Sequence, residues 1–255
     1  SHATLRKSSP SKSPDTLRTN LSRYSEARAD IVFVPTVLVH HLIGWLILIH
    51  GPLRHKKSKV LLFFPNTPVY LDKATGRGFL APEPTGRLFG WLIRRLDSAV
   101  REGRVILGAE TSSMRKALEE ATGVPFVYLP HPVPVFFEPE PQDRPLTMAV
   151  YGPARFEKGS DVLQEAISRH LQSTPGSKTR FSVQWLDDFS DEQGNLVHKL
   201  PLLEKDERVE FIQSYFDAGE YPRRLARTDV LLLPYRKSSY DLRVSRVVIE
   251  AMVHG

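Results

Sequence analysis

Short apolar runs that end in turn residues alternate with segments of helical period along most of the chain. An uninterrupted apolar run is typical of a strand buried on both faces, whereas apolar positions three and four residues apart are typical of an amphipathic helix. In the first half this pattern predicts strands at 29–35, 59–65, 104–108 and 125–129, and helices at 36–50, 86–101 and 112–121. Strands that alternate with helices in this way favour a parallel sheet.

The same pattern restarts after a stretch at 131–145 that combines several prolines with acidic residues. A segment of this composition is typical of an extended linker. Beyond it, the pattern predicts strands at 147–152, 181–186, 208–212 and 229–234, and helices at 160–171, 217–227 and 245–253. We therefore expect an α/β chain with two Rossmann-like units, an N-terminal domain at 21–130 and a C-terminal domain at 146–255, joined by a hinge at 131–145.

Both ends of the sequence differ from this regular pattern. Residues 1–20 are rich in Ser, Lys, Arg and Pro, and they contain too little apolar surface to offset the entropy of ordering, so we expect a disordered tail. Each unit shows about four strands, fewer than the roughly five or six of a typical doubly wound sheet. We therefore expect a fragment in which the sheets are truncated.

Composition narrows the chemistry of the partners. A net charge of +6 and a pI near 9.5 favour anionic partners. The absence of cysteine excludes disulfides and thiolate chemistry. The histidines lack a metal-ligand spacing, and neither a Walker loop nor a strict GxGxxG run is present, so we expect no metal and no tightly bound cofactor. Basic residues do not interleave with aromatic ones as on a base-stacking surface, which argues against nucleic acid as a partner.

One apolar stretch, residues 31–53, approaches the length of a membrane-spanning helix. Proline, glycine and histidines interrupt it, so it predicts a buried strand followed by a buried helix. The basic run RHKK at 54–57 follows directly. A solvated turn is the simpler interpretation of this run, and contact with an anionic membrane surface is the alternative. We expect a cytoplasmic protein, with attachment to the inner face of a membrane as the alternative.

The strongest local motif is YGPARFEKG at 151–159, which lies between a predicted strand and a predicted helix. Gly152 permits a tight turn, and Arg155 and Lys158 place two cations beside the start of a helix, where backbone amides already favour an anion. Asp161 and Gln164 resemble a capping pair for that helix. The motif predicts a diphosphate site, and the alternative is a surface turn with two solvated cations.

A second motif, TDVLLLPYRKSSYDLRVSRVVIEAMVHG, occupies residues 228–255. A strand ends in a polar loop, and a largely apolar helix follows. Glu250 lies within this helix. Its carboxylate is either exposed to solvent or positioned to bind a ligand. A ribose is a suitable ligand, because a carboxylate can accept two hydrogen bonds from a ribose diol.

Together the two motifs resemble the C-terminal domain of retaining GT-B glycosyltransferases of the large family four. GPARFEKG is similar to the family's G-x-x-R-x-x-K-G-like turn, TDVLLLPY with IEAMVHG to its later strand and helix, and VYLPHPVPV to its crossover between domains. The resemblance covers about residues 125–255. It implies two domains that face each other across a cleft, a donor diphosphate bound by Arg155 and Lys158 beside Gly152, and a donor ribose bound by Glu250.

The sequence departs from the family pattern at two positions. Eight residues before the ribose-binding glutamate the family often has a second glutamate, and here that position is Leu242. The segment instead resembles a variant with a Y..R.S run, which implies that Tyr240, Arg243 and Ser245 face the donor sugar or phosphate. The glycine expected after the serine is Arg246, so the shape of the loop is open.

The resemblance also implies a catalytic or sugar-contacting histidine in the N-terminal domain. His40 and His41, on the predicted helix at 36–50, are the candidates. The alternative is that they are core residues with satisfied hydrogen bonds, which is the commoner state of a histidine on an apolar helix.

The function implied by the resemblance is transfer of a sugar from a UDP- or GDP-type nucleotide-sugar to an acceptor hydroxyl, with retention and without metal. The acceptor is a saccharide, a lipid-linked molecule or a protein. Two alternatives stay open: a non-catalytic module that binds nucleotide-sugars or serves in assembly, and another GT-B enzyme such as a nucleotide-sugar epimerase. Donor binding without slow donor hydrolysis would favour the module.

Overall fold

The computed structural model describes residues 30–132 and 143–254. The tail predicted at 1–20 and most of the hinge predicted at 131–145 lie outside the described residues. The contacts divide the chain into two compact units, residues 1–130 and 131–255. Each unit is described by itself.

Unit 1 is built on a parallel sheet with the strand order β1-β2-β5-β6. Its strands are β1 (Ile31–Val34), β2 (Lys59–Phe64), β5 (Val105–Ala109) and β6 (Val127–Tyr128). An antiparallel hairpin, which the pattern did not predict, consists of β3 (Val69–Leu71) and β4 (Gly78–Leu80). The helices are α1 (Val39–His50), α2 (Pro84–Arg95), α3 (Asp97–Arg101) and α4 (Ser112–Thr122).

Two helix boundaries in unit 1 differ from the predictions. The helix predicted at 36–50 begins only at Val39, because the Val37 amide donates to the Phe63 carbonyl in β2 at 3.0 Å and holds the chain extended. The single helix predicted at 86–101 is wrong, since the chain breaks into α2 and α3 at Leu96. Leu96 is fully buried, so the apolar spacing continues through the break and gave no sign of it.

Unit 2 is built on a second parallel sheet, with the order β11-β8-β7-β12. Its strands are β7 (Thr147–Val150), β8 (Arg180–Gln184), β11 (Val209–Ile212) and β12 (Val230–Leu231), and a small hairpin pairs β9 (Phe189–Ser190) with β10 (Leu196–Val197). The helices are α5 (Ser160–Ser173), α6 (Pro201–Glu204), α7 (Glu220–Ala226), α8 (Lys237–Tyr240) and α9 (Arg246–His254).

The strand order of unit 2 contains a reversal. The chain runs outward from β7 to β8 and β11, and α7 then carries it back to β12 on the other side of β7. Neighbouring residues of β7 accordingly enter two different cores: Val150 packs in one cluster with α5, and Ala149 packs in the other with Leu225 of α7. The carboxyl ends of β7 and β12 therefore meet where open α/β sheets bind ligands.

Three local predictions in unit 2 need correction. The strand predicted at 229–234 is only two residues long, because the loop after it turns toward residues 156–161. The helix predicted at 217–227 begins at Glu220, since Asp217 first accepts the Gly219 and Glu220 amides at 2.7 and 2.6 Å. The capping pair predicted at Asp161 and Gln164 is wrong: Gly159 is the N-cap, and both side chains bind other segments.

Among residues 30–132 and 143–254, no helix is both long and apolar enough to cross a membrane. The stretch at 31–53 forms β1 and α1, as predicted. The prediction that this helix is buried holds for one side only, which carries Leu42, Trp45, Leu48 and Ile49. Ile43 and Ile47 on the opposite side are exposed.

Candidate functional site

The turn after β7, residues 151–159, has a backbone shape that its two glycines permit. Gly152 has φ of 89° and Gly159 has φ of 68°, both in the left-handed region that other residues avoid. Between them, Phe156–Lys158 form one turn of 3₁₀ helix. A side chain on Gly159 would collide with the Pro234 carbonyl, so this glycine also allows the loop after β12 to approach closely.

The ammonium group of Lys158 lies against Gly152 at the end of β7. A methyl group on Gly152 would overlap it. Burial, and then the nearby charge of Arg155, lower the pKa of Lys158 to about 8, while Glu157 counteracts this shift. Within the part of the chain that the structure describes, Lys158 Nζ has no hydrogen bond or ion pair. A partly desolvated cation without a partner favours the binding of an anion.

Arg155 is the second cation of this turn, and it is more exposed than Lys158. Its guanidinium is 3.5 Å from Glu157, an ion pair that solvent screens. Its backbone amide donates to the Ser160 hydroxyl at 3.0 Å. The turn thus holds Arg155 by its backbone and leaves its side chain available to a ligand.

Arg236, in the loop after β12, holds this turn in place and was missed by the sequence analysis. Its guanidinium donates to the Phe156 carbonyl at 3.0 Å and to Asp161 at 2.6 Å, and it lies 3.8 Å from the centre of the Phe156 ring. Its backbone amide donates to the Glu157 carbonyl at 3.0 Å. All these partners are far away in sequence, so no local pattern could identify them.

The loop between β12 and α9 places Tyr240 and Arg243 near the same turn. Burial raises the pKa of the Tyr240 phenol, and the charges of Arg243 and Arg155 oppose the shift, so both cations lie close to this side chain. Tyr240 stacks on Tyr235 with ring centres 4.3 Å apart. Arg155 therefore comes close to Tyr240 and Arg243, two predicted residues from a distant part of the sequence.

Ser245 has a structural role at the start of α9. Its hydroxyl donates to the Tyr235 hydroxyl at 3.1 Å and accepts the Val248 amide at 3.4 Å, which is the geometry of an N-cap. Ser245 thus connects the stacked tyrosines to α9. The side chain of Leu242, which lies between Tyr240 and Ser245 in the sequence, is buried.

A pocket of about 460 Å³ extends from Gly152 to Glu250. Glu250 forms part of its wall and accepts hydrogen bonds from the Tyr221 hydroxyl at 2.8 Å and from Arg246 at 2.9 Å. The Tyr221 ring stacks on Phe216 with ring centres 5.8 Å apart. Burial and then the Glu250 carboxylate raise the pKa of Tyr221, so this phenol remains a donor across the ordinary pH range.

Gln184 connects the two sides of this pocket. Its side-chain amide donates to the Ser214 carbonyl at 2.8 Å and its oxygen accepts the Gly152 amide at 2.7 Å. Neither Gln184 nor Tyr221 was identified from the sequence. Their roles depend on the ends of β8 and β11 lying beside the turn, which only the sheet order decides.

The two histidine candidates lie in unit 1, and the other seven candidates lie in unit 2. His40 and His41 are both exposed near the start of α1, with ring centres 4.1 Å apart. The Leu38 amide donates to His41 Nδ1 at 3.3 Å, so this ring helps to cap α1. Burial, and then His40, lower the pKa of His41. The alternative that these histidines belong to the core is wrong.

A larger cavity, about 860 Å³, is lined by residues of β7, β8, β11 and α7. Within its lining, Arg224 pairs with Glu210 and Glu220. Open α/β sheets bind ligands at the carboxyl ends of their strands, whereas this cavity includes Thr147 and Arg180, the first residues of β7 and β8. The smaller pocket beside Gly152 is therefore the better candidate.

Among residues 30–132 and 143–254, no group of three or more acidic or histidine side chains could hold a metal ion.

Comparisons with known proteins show which solved structures share this fold. No protein-family model matches the chain, and no curated protein matches it. Among solved structures, the chain is similar to the OtsA apo structure, with a TM-score of 0.53 and 15% identity over 93% of this chain and 59% of that one. It is similar to TarM, with a TM-score of 0.58 and 12% identity over 93% of this chain and 43% of that one.

A third similar structure is an E. coli trehalose-6-phosphate protein bound with UDP-2-fluoro glucose, with a TM-score of 0.52 and 13% identity over 94% of this chain and 60% of that one. These similar proteins are GT-B glycosyltransferases. The chain therefore has the Rossmann-like α/β fold of part of such enzymes, and it spans about half the length of the proteins that it matches. At these identities the likeness shows the fold alone.

Proposed function

We propose that unit 2 binds a nucleotide-diphosphate-sugar and that the chain belongs to an enzyme that transfers this sugar to an acceptor hydroxyl. The observation that carries the proposal is the position of the Lys158 ammonium, unpaired within the described residues, against Gly152 between the ends of β7 and β12. In the proposed reaction the bond between the sugar C1 and the diphosphate oxygen breaks. The acceptor oxygen bonds to C1 and releases its proton, and the nucleoside diphosphate leaves.

The two cations of the turn suit the departing diphosphate. Negative charge builds up on the leaving oxygen, and fixed cations that are already in place stabilise it without reorganisation. In this proposal Lys158 contacts the diphosphate from the partly buried side and Arg155 from the solvent side, so no metal ion is needed. Retention of configuration is carried over only from the resemblance to family four.

The nucleoside is proposed to occupy the pocket of about 460 Å³ next to the turn. Glu250 would accept the ribose hydroxyls, since each of its oxygens has a further lone pair beside its present hydrogen bond. The E. coli protein of similar fold is bound with UDP-2-fluoro glucose, which supports a nucleotide-sugar as the donor, and we propose a donor of the UDP or GDP type.

The remaining candidates are assigned to the sugar end of the donor. Tyr240 and Arg243 lie near Arg155, so they are proposed to contact the sugar or its phosphate, with Ser245 holding their loop. His40 and His41 are exposed and are proposed to contact the transferred sugar. The cleft between the two units that this requires stays a prediction.

Calorimetric titration with UDP, GDP and ADP tests the proposal. We expect saturable binding of UDP or GDP, and an affinity at least about tenfold weaker in Lys158→Met because a charge-assisted contact is lost. Lys178→Met, which removes an exposed lysine from the same unit, is the matched control. A folded chain that binds none of the three nucleotides would overturn the proposal, as would equal affinities in the two variants.

A non-catalytic donor-binding module remains the second candidate, because Leu242 is buried where the family often has an acidic residue. Both candidates predict donor binding. They differ in slow hydrolysis of UDP-sugar or GDP-sugar, which a transferase catalyses without its acceptor and a binding module does not.

A further inference from the structure

We propose that the solvent-facing sides of α1 from Ile43 onward and of α2 in unit 1, together with the turn at 51–57, bind the surface of an anionic phospholipid bilayer. This surface is called the α1–α2 surface below. The inference concerns unit 1 and does not rest on the donor site of unit 2.

The apolar part of the surface consists of large side chains at helical spacing. Ile43 and Ile47 on α1 are 47% and 59% exposed, and Leu88 and Trp91 on α2 are 40% and 48% exposed. Within each helix, residues three or four apart share one side, and the opposite side of each helix is buried. Each helix therefore has a second apolar side that the described part of the chain does not cover.

The two helices pack against each other. At their C-terminal ends, His50 Nε2 lies 3.0 Å from the Arg95 carbonyl oxygen, so the two ends are fixed side by side. Ile47 and Trp91 each lie about one turn before this contact. The Arg95 guanidinium lies 4.7 Å from the centre of the Trp91 ring, which places a cation beside the exposed indole.

The charged residues of α1, α2 and the turn at 51–57 are all cationic, and the acids Glu83 and Asp97 flank the two ends of α2. No acidic residue occurs between Asp30 and Asp72, and none occurs from Pro84 to Leu96. The cations of these segments that belong to the surface are Arg54, Lys56, Lys57, Arg87, Arg94 and Arg95, and all but the half-buried Lys56 are exposed. An apolar area with a tryptophan and a rim of Lys and Arg is the pattern of an interfacial membrane helix.

This combination favours an anionic bilayer over a protein partner or a second copy of the chain. The cations of this surface outnumber the acids that flank it and complement anionic headgroups, and each Lys or Arg close to such a membrane strengthens binding about fivefold. Two copies of the chain that met through this surface would bring like charges together. Isoleucine and tryptophan side chains can enter the boundary between headgroups and acyl chains, where the indole is amphipathic.

Vesicle sedimentation of the whole chain tests the proposal. We expect binding to vesicles of phosphatidylcholine with about a third of phosphatidylserine, binding that salt weakens, and little binding to phosphatidylcholine alone. Ile47→Ser/Trp91→Ser should weaken binding at least about tenfold. Arg54→Gln/Lys56→Gln/Lys57→Gln should weaken it roughly a hundredfold.

Matched variants elsewhere separate the surface from general effects. Leu196→Ser/Leu202→Ser removes two exposed leucines of unit 2, and Lys73→Gln/Lys178→Gln/Lys205→Gln removes three exposed lysines outside the surface. Both controls should keep more of the wild-type affinity than the matching surface variant. Circular dichroism shows whether each variant is folded.

Tryptophan fluorescence gives a second measurement. Trp45 and Trp185 are only 8% and 1% exposed, so a blue shift of the emission on adding anionic vesicles should come from Trp91. We expect this shift in the wild type and not in Trp91→Phe.

Three outcomes would overturn the proposal. The first is a folded wild-type chain that does not bind anionic vesicles, and the second is equal binding by the surface variants and their controls. The third is a dimer in solution that Ile47→Ser/Trp91→Ser dissociates, without any vesicle binding, since the occupant would then be a second copy of the chain.

Discussion

The Lys158 ammonium and the Gly152 backbone are in direct contact, so that no side chain can be accommodated on Gly152 without displacing the cation. This contact links the shape of the turn to the position of its charge.

The first prediction concerns Gly152→Ala. The added methyl group overlaps Lys158 Nζ and is strained at a φ of 89°. We expect about 1–2 kcal/mol of lost stability and at least about tenfold weaker nucleotide binding. Chemical denaturation and calorimetry measure the two effects. Gly176→Ala, where the methyl group meets open space, should change neither. Wild-type affinity in Gly152→Ala would show that the Lys158 position does not matter for binding.

The second prediction concerns pH. The pKa of Lys158 is lowered to about 8, so the free protein loses this charge as the pH rises through 8. Nucleotide affinity should therefore fall by up to about tenfold per pH unit above 8, and Lys158→Met should lack this dependence. Calorimetry from pH 7 to pH 9.5, at about constant ionic strength, measures it.

The lowered pKa of Lys158 also predicts that the stability of the protein depends on pH, in the opposite direction to the nucleotide affinity. Between about 8 and the ordinary value of 10.5 the unfolded chain binds more protons at Lys158 than the folded chain does. The free energy of unfolding should thus rise with pH in this window for the wild type, relative to Lys158→Met. A steeper rise in the variant would contradict the lowered pKa.

The third prediction concerns Arg236→Lys, which keeps the charge. Lysine cannot reach the Phe156 carbonyl and Asp161 with the fork geometry of arginine, so the turn should loosen. We expect about 1–2 kcal/mol lower stability, since Arg236 is only partly buried, and weaker nucleotide binding. Thermal unfolding and calorimetry report on these changes. Lys237→Arg, at the exposed neighbouring position, serves as the control and should behave like the wild type.

The fourth prediction separates the nucleoside from the diphosphate. Tyr221→Phe removes one of the two donors to Glu250 and leaves its carboxylate free to move. We expect UDP affinity to fall about fivefold and pyrophosphate affinity to stay unchanged, because in the proposed binding mode pyrophosphate contacts only the turn. Tyr215→Phe, at an exposed phenol on the rim of the pocket, is the control. An equal loss of affinity for UDP and for pyrophosphate would show that the substitution acts through the turn rather than through Glu250.

The sequence by itself determined the elements and the charged turn. Alternation of apolar runs with helical spacing is a local property, and it placed strands and helices close to where they occur in both units. The spacing of Gly152, Arg155 and Lys158 is also local, because a turn of nine residues brings them together whatever the rest of the chain does.

Only the tertiary structure decided what holds this turn and where the nearby pocket lies. Arg236 is some 80 residues from Phe156, and Tyr221 is 29 residues from Glu250. These pairs meet because β12 returns beside β7, a choice that depends on the packing of whole strands and helices. Asp161 shows the same limit: its spacing indicated a helix cap, but an ion pair with Arg236 brought by that packing engages the carboxylate instead.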